Sequence, residues 1–187
     1  MPSSASLLRK KSPDECDQVE ANLSPAAAEA LAGVNALRWV PMADHMEFCM
    51  VLRSVVGAGA PYTRFWQDVM ESLLERPILS AFSSMMFRLS DAPDRVLMRN
   101  APRIFTQLFR DCGTLSAELS ADKSVAVARV EGFPSQFDID CFREGTAGAI
   151  AGVYARLPEG ERYEVRSRSA GPGSVEITVV SSDHASG

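Results

Sequence analysis

The sequence predicts an α+β fold: an antiparallel sheet of about four strands, formed by two hairpins, with a cluster of helices packed on one face. Apolar residues recur at helical spacing from residue 24 to residue 109. Two pairs of short segments, within 114–130 and 162–181, instead alternate apolar and polar residues. One long helical segment separates these two pairs, so the hairpins and the helices form distinct layers.

Helix signals recur through the first part of the chain. Ser24 is a good N-cap, Pro25 suits the first helical position, and Gly33 ends that segment. A later segment that begins near Pro61 carries one broad apolar stripe and ends at Pro77. The helices predicted before the first hairpin occupy residues 24–32, 42–56, 61–76, 78–89, 92–98 and 102–109.

Alternation of apolar and polar residues defines the strands. Leu115, Ala117 and Leu119 alternate with polar neighbours, and a β-rich run over 124–130 follows a polar turn. The second hairpin lies over 162–181 and has a Gly-Pro-Gly turn in its middle. Both pairs of strands are therefore predicted to be antiparallel.

The long helix between the hairpins is predicted over 140–157. Paired carboxylates at its start, Asp138 and Asp140, are interpreted as helix caps and not as an acid and base pair. Each glycine inside a helix costs about 1 kcal/mol relative to Ala, so three glycines here indicate close approach of another backbone. These glycines are Gly145, Gly148 and Gly152.

The composition divides the 187 residues into one folded unit and two tails. Residues 1–23 are rich in Ser, Lys, Asp and Glu and lack aromatic side chains, so we predict a disordered polar tail there. We expect 24–181 to form a single α+β domain and 182–187 to form a disordered C-terminal tail. Because Cys16 lies in the polar tail, we expect it to be the most exposed cysteine.

The charge balance argues against a nucleic-acid-binding protein. The 19 Lys and Arg against 24 Asp and Glu leave a net charge of −5, and no uninterrupted basic face is visible. No run of about 18 apolar residues is long enough to span a membrane. The N-terminal residues do not have the order of a secretory signal peptide, so we expect a cytoplasmic protein.

Histidine and cysteine spacing gives no strong metal or catalytic motif. The chain has only two histidines, and its four cysteines form no CxxC pair. His45 and Cys49 share a helix face and, with Cys112 and Cys141, have the composition of a Cys3His zinc site, but we favour packing and predict no metal. No phosphate-binding glycine motif and no GxSxG motif occur.

The abundance of large apolar side chains favours a binding module over an enzyme. Large aromatic side chains are abundant in the helical part, while no catalytic constellation accompanies them. We predict that these side chains line either the core or a pocket. The candidate ligand-binding residues are Phe65, Trp66, Phe82, Phe105, Phe109 and Cys49.

Three segments carry a resemblance to a known group of proteins. They are Leu37-Arg38-Trp39-Val40-Pro41, Phe109-Arg110-Asp111-Cys112-Gly113 and Phe142-Arg143-Glu144-Gly145. With them the chain resembles uncharacterised domains that form large paralogous families in myxobacteria, over roughly 25–180. Those domains are similar in layout to the 4-vinyl-reductase-type and haem-nitric-oxide-binding-like folds, in which helices over an antiparallel sheet enclose a space for a hydrophobic molecule.

The resemblance implies a ligand-binding or sensory module more than a catalyst. The sequence departs from the haem-binding branch, because we expect no histidine in the helices near the sheet and find no Tyr-x-Ser-x-Arg stretch. We therefore predict no cofactor. In a lipid-binding version, Cys49 would be the position for a thioester.

Three functional hypotheses follow. The first is a non-enzymatic module for a small hydrophobic ligand or a protein partner. The second is a structural interaction protein that forms a homodimer. The third is an enzyme that uses Cys49 with His45, which requires a lowered thiol pKa.

Overall fold

The computed structural model describes residues 4–32, 41–75, 93–108, 110–121, 124–157 and 163–181. Its helices are α1 (Ser4–Lys11), α2 (Pro13–Asn22), α3 (Pro25–Ala32), α4 (Met42–Val56), α5 (Ala60–Leu74), α6 (Pro93–Leu108) and α7 (Ile139–Tyr154). Its strands are β1 (Thr114–Leu119), β2 (Val125–Glu131), β3 (Tyr163–Gly171) and β4 (Ser174–Ser181). None of the helices within these ranges is long and apolar enough to cross a membrane.

The predicted α+β class is confirmed, with both hairpins paired as expected. The four strands form one antiparallel sheet in the order β1-β2-β4-β3, so the second hairpin joins the first through β2 and β4. Val175, Ile177 and Val179 alternate onto the buried face of β4. Helix α7 packs on β3 and β4, and α6 packs on β1.

The opposite face of the sheet carries charged side chains. Glu176 accepts hydrogen bonds from Arg129 of β2 at 2.9 Å and from Arg168 of β3 at 2.7 Å, which pairs charges across three neighbouring strands. These pairs explain why a carboxylate that is only 7% exposed is tolerated on the central strand β4.

The three glycines of α7 allow α5 to lie directly against it, as predicted. A Cβ at Gly148 would overlap the carbonyl oxygen of Thr63, and a Cβ at Gly152 would lie 2.5 Å from the carbonyl oxygen of Gln67. Because both contacts are with backbone atoms, no side-chain rotation relieves them. The distance between α5 and α7 therefore depends on these glycines.

A buried carboxylate joins three helices at one end of the molecule. Glu144 of α7 accepts two hydrogen bonds from Arg53 of α4, at 2.8 and 2.9 Å, and a third from the backbone N–H of Gly59 at 2.9 Å. Gly59 immediately precedes α5, so its N–H is one of the free donors at that helix N-terminus. This ion pair fixes the relative positions of α4, α5 and α7.

The prediction of a disordered tail over 1–23 is wrong for residues 4–22, which form α1 and α2. Leu8, Cys16 and Val19 are at most 2% exposed and belong to the main core cluster. Arg9 also pairs with Glu20 at 2.6 Å. Three apolar side chains suffice here because α1 packs on α2 and α2 packs on α4. An isolated polar segment has no such surface on which to bury its few apolar side chains. The expectation that Cys16 is the most exposed cysteine is wrong for the same reason.

The prediction of two helices over 92–98 and 102–109 is also wrong. One helix, α6, spans Pro93–Leu108 and contains Pro102 in its interior. A proline there removes the hydrogen bond to the carbonyl of Met98 but does not always end a helix, and Met98 and Phe105, on either side of it, are both buried. The predicted helix over 78–89 and the predicted tail over 182–187 lie outside the described residues.

Candidate functional site

A cavity of about 350 Å³ lies between the helices and the inner face of the sheet. Its described walls come from α4, α5, α6 and α7, and from residues of β1, β2 and β4. Among those lining residues there is no Asp, Glu, Lys or Arg. The volume falls within the range of small-molecule sites, which is roughly 300–1,000 Å³.

The shape of the cavity follows from where small and large residues occur. Helix α5 presents Tyr62, Trp66 and Val69 to it, which lie three or four positions apart and so share one face. Opposite them, α7 contributes Gly145 and Ala149, whose small side chains leave space. The sheet floor consists of short aliphatic side chains. Phe142 and Tyr154 of α7 and Phe105 of α6 add further rings to the lining.

Polar groups cluster at one end of this otherwise hydrocarbon wall. His45 Nε2 lies 3.5 Å from Cys49 Sγ, one turn along α4. The Tyr62 hydroxyl lies 3.3 Å from Cys141 Sγ, and Cys141 also hydrogen-bonds with Cys49. The Trp66 ring stands edge-on to His45, with centroids 6.2 Å apart. We call His45, Cys49, Tyr62, Trp66 and Cys141 the polar end.

Their surroundings favour the uncharged forms of His45, Tyr62 and Cys141. Burial lowers the pKa of His45, which favours the neutral imidazole. Hydrogen bonding with Cys49 and burial raise the pKa of the Cys141 thiol, and burial raises the pKa of Tyr62. At neutral pH the Cys141 thiol and the Tyr62 hydroxyl therefore keep their protons, and no counter-charge for an anion is present among the described lining residues.

One donor of the polar end has no partner. The indole Nε1 of Trp66 is buried and makes no hydrogen bond within the described structure. It faces Gly145, where an added Cβ would lie 3.3 Å from Nε1 and 3.4 Å from the Tyr62 hydroxyl oxygen. An indole N–H only donates, so this group requires an acceptor.

The structure brings together half of the predicted ligand-binding residues. Cys49, Trp66 and Phe105 line the cavity. Phe65 is buried beside Trp66, with ring centroids 5.8 Å apart, but is not part of the lining. Phe82 and Phe109 lie outside the described residues. A role of these side chains in binding stays a prediction.

Sequence reasoning identified Cys49 and Trp66 as ligand-binding candidates. It considered His45 and Cys141 only for a zinc site or an enzyme, and it did not single out Tyr62. The expectation that no histidine lies in the helices near the sheet is wrong, because His45 of α4 lines the same cavity as Ile177 of β4. Tyr62 precedes Trp66 by one turn, a spacing that was available in the sequence. The approach of Cys141, some 80 positions further on, was not, since only the packing of α7 brings it to Tyr62.

The cysteines do not assemble as a zinc site would require. Cys112 lies apart from the other members of that hypothetical site, with its thiol 3.2 Å from Met42 Sδ, and burial raises its pKa to about 11. No group of three or more His, Cys, Asp or Glu within the described ranges is placed to hold a metal ion. All four cysteines are free and buried.

Comparison with known proteins shows a shared fold and no close relative. No family model matches the chain, and the search of curated proteins gave no significant match. One similar solved structure comes from a study of the function of heme distortion in the H-NOX family. It superposes with a TM-score of 0.57 over 95% of this chain and 90% of its own, at 12% identity. The haem-nitric-oxide-binding-like layout implied by the resemblance is therefore present, at the level of the fold.

Proposed function

We propose that this protein is a non-enzymatic binding module of a sensory or regulatory kind, and that it holds a small hydrophobic molecule in the cavity. The observation that carries the proposal is the cavity itself. It offers about 350 Å³ of space inside the folded domain, with an almost wholly apolar wall. Small-molecule sites are mostly apolar clefts or cavities of roughly 300–1,000 Å³, so a space of this size and lining suits a small ligand.

The fold supports a binding role but does not identify the ligand. The H-NOX structure of similar fold comes from a study of heme. The described residues that line the cavity of this protein do not fit a haem group. Haem carries two propionates, and no Lys or Arg is found among the described lining residues to pair with them. We therefore propose a different, uncharged occupant. The three segments quoted above support membership of the uncharacterised myxobacterial domain group.

The electrostatics of the polar end support binding over covalent catalysis. A cysteine nucleophile acts as the thiolate and needs a lowered pKa. The pKa of Cys141 is raised instead, and the neutral His45 beside Cys49 supplies no positive charge to stabilise a thiolate. These groups suit a wall that a ligand contacts better than a reacting centre.

A thermal-shift screen against uncharged aromatic and aliphatic compounds tests the proposal. A ligand present at one hundred times its Kd stabilises the folded state by about 2.7 kcal/mol, which raises Tm by roughly 5–10 °C in a protein of this size. The variant Ala149→Phe places a ring inside the cavity and should abolish the shift. Ala43→Phe, on the exposed side of α4, is the matched control and should keep it.

Two outcomes contradict the proposal. One is the absence of stabilisation by every compound in the screen. The other is an equal shift in wild type and Ala149→Phe, which would place binding somewhere else on the molecule. The Tm of each variant without ligand separates loss of binding from loss of folding.

A further inference from the structure

The polar end of the cavity has one unmet hydrogen-bonding requirement, and that requirement defines a class of ligand. The thiols of Cys49 and Cys141 and the hydroxyl of Tyr62 hydrogen-bond with one another, and His45 contacts Cys49. Among the buried polar side-chain atoms of this group, Trp66 Nε1 is the one without a hydrogen-bond partner in the part of the chain that the structure describes. A buried donor without an acceptor is unfavourable, so an occupant that brings an acceptor is favoured over one that does not.

The position of this donor is set by the same packing that forms the cavity. Gly145 has no side chain, and the space where its Cβ would lie is bordered by both Trp66 Nε1 and the Tyr62 hydroxyl, at 3.3 and 3.4 Å. Gly148 allows α5 to lie close to α7, and a Cβ there would lie 3.0 Å from Trp66 Cβ, so the base of the Trp66 side chain packs on α7. The indole donor therefore lies in the wall where α5 packs against α7.

The charge of the surroundings determines what kind of acceptor fits. No cationic side chain is found among the described lining residues, so a carboxylate or phosphate would be buried without a counter-charge. A carbonyl oxygen accepts a hydrogen bond from an indole without that penalty. The rest of the described wall is mainly hydrocarbon, thioether and aromatic surface, with hydroxyl groups only on Thr146 and Tyr154, which favours a mainly apolar body.

We propose that the cavity takes an uncharged, mainly hydrocarbon molecule with one carbonyl oxygen, as in a ketone, aldehyde or ester, and that the Trp66 indole N–H donates to that oxygen. The proposal rests on the proposed function, because it names the chemical class of ligand for the same cavity. Trp66 acts here as the residue that determines specificity, while the apolar wall supplies general affinity.

Three probes of similar size separate the contributions of the apolar wall, of the hydrogen bond to a carbonyl oxygen and of a negative charge. They are ethylbenzene, acetophenone and benzoate. Titration calorimetry on the full chain at neutral pH measures the Kd of each. One hydrogen bond is worth about a 2- to 12-fold difference in affinity. Acetophenone should bind more tightly than ethylbenzene by this factor, and benzoate should bind more weakly than both. In Trp66→Phe a smaller aromatic ring without an N–H replaces the indole, so both affinities change, and the ratio of the acetophenone affinity to the ethylbenzene affinity should fall towards one.

A second measurement does not depend on the variant folding well. The chain has two tryptophans, so the wild-type protein gives two indole N–H resonances, and Trp66→Phe or Trp39→Phe assigns them. Acetophenone should move the Trp66 indole proton downfield more than ethylbenzene does. Equal affinity for ethylbenzene and acetophenone, equal indole shifts, or tightest binding of benzoate would each overturn the proposal. If none of the three probes binds, the proposed function itself fails, which is a separate result.

Discussion

Replacing Glu144 by Gln tests whether one buried ion pair holds the helices around the cavity. The Glu144 side chain is 10% exposed and the Arg53 side chain 24%, so neither charge is fully solvated. The amide keeps an oxygen that can accept from the Gly59 N–H, but its NH2 group then faces an arginine donor. The substitution therefore removes at least one charge-assisted hydrogen bond and leaves Arg53 underpaired. Such a bond is worth about 1.5–3 kcal/mol, and we expect a destabilisation of that order.

Urea unfolding of the variant and wild type at pH 7 measures this loss. The matched control is Glu164→Gln on β3, where the Arg166 pair is exposed and should contribute little. Equal stability of Glu144→Gln and wild type, or equal effects of the two substitutions, would refute the reasoning.

The same carboxylate makes a prediction about pH. Hydrogen bonds from Arg53 hold the pKa of Glu144 below its ordinary value of 4.5 in the folded state. Since the folded pKa is depressed, the stabilisation is fully present above the unfolded pKa and is lost as pH falls through the folded value. The difference in stability between wild type and Glu144→Gln should therefore shrink below pH 4.5. A difference that persists unchanged in acid would show that the ion pair is not its cause.

Two further predictions concern packing. Gly148→Ala should destabilise the protein, because the added Cβ would overlap the backbone of Thr63. The overpacking cost of about 1–3 kcal/mol exceeds the roughly 1 kcal/mol gained in helix propensity. Unchanged or raised stability in denaturant unfolding would contradict this prediction. Leu8→Ala should cost about 2–5 kcal/mol in the same assay, since Leu8 is a core side chain of α1. Gln18→Ala on the exposed side of α2 is the control, and equal, negligible effects of both would restore the hypothesis of a disordered tail.

The parts of the fold that the sequence predicted are those that depend on near neighbours in the chain. Asp138 caps α7 by accepting from the backbone N–H groups of Asp140 and Cys141, at 2.9 and 3.0 Å. Ser24 likewise accepts from the N–H of Ala27 at 3.2 Å. Caps, glycine stops and two-residue alternation act over a few residues, so the residues concerned are visible together in the sequence.

The two wrong predictions concern segments whose structure depends on residues that are distant in the chain. Composition suggested disorder for residues 1–23, yet the three apolar side chains of α1 and α2 find partners on a helix some 30 residues later. Pro102 suggested a helix boundary, yet α6 continues through it, with buried residues on both sides. In both places long-range burial outweighed a local preference, because burial of a large apolar side chain contributes about 1.5–3 kcal/mol.

By itself, the sequence determined the fold class, the two hairpins, the need for close approach at the glycines of α7 and the supply of aromatic side chains for a pocket. Only the tertiary structure decided that α4 and α7 bring His45, Cys49 and Cys141 to the rings of α5, and that the Trp66 N–H has no acceptor among the described residues. The physical reason is that a binding cavity is a property of the space between elements. Its shape depends on contacts between distant residues, such as Arg53 and Glu144, which lie 91 positions apart, and those contacts leave no periodic signal in the chain.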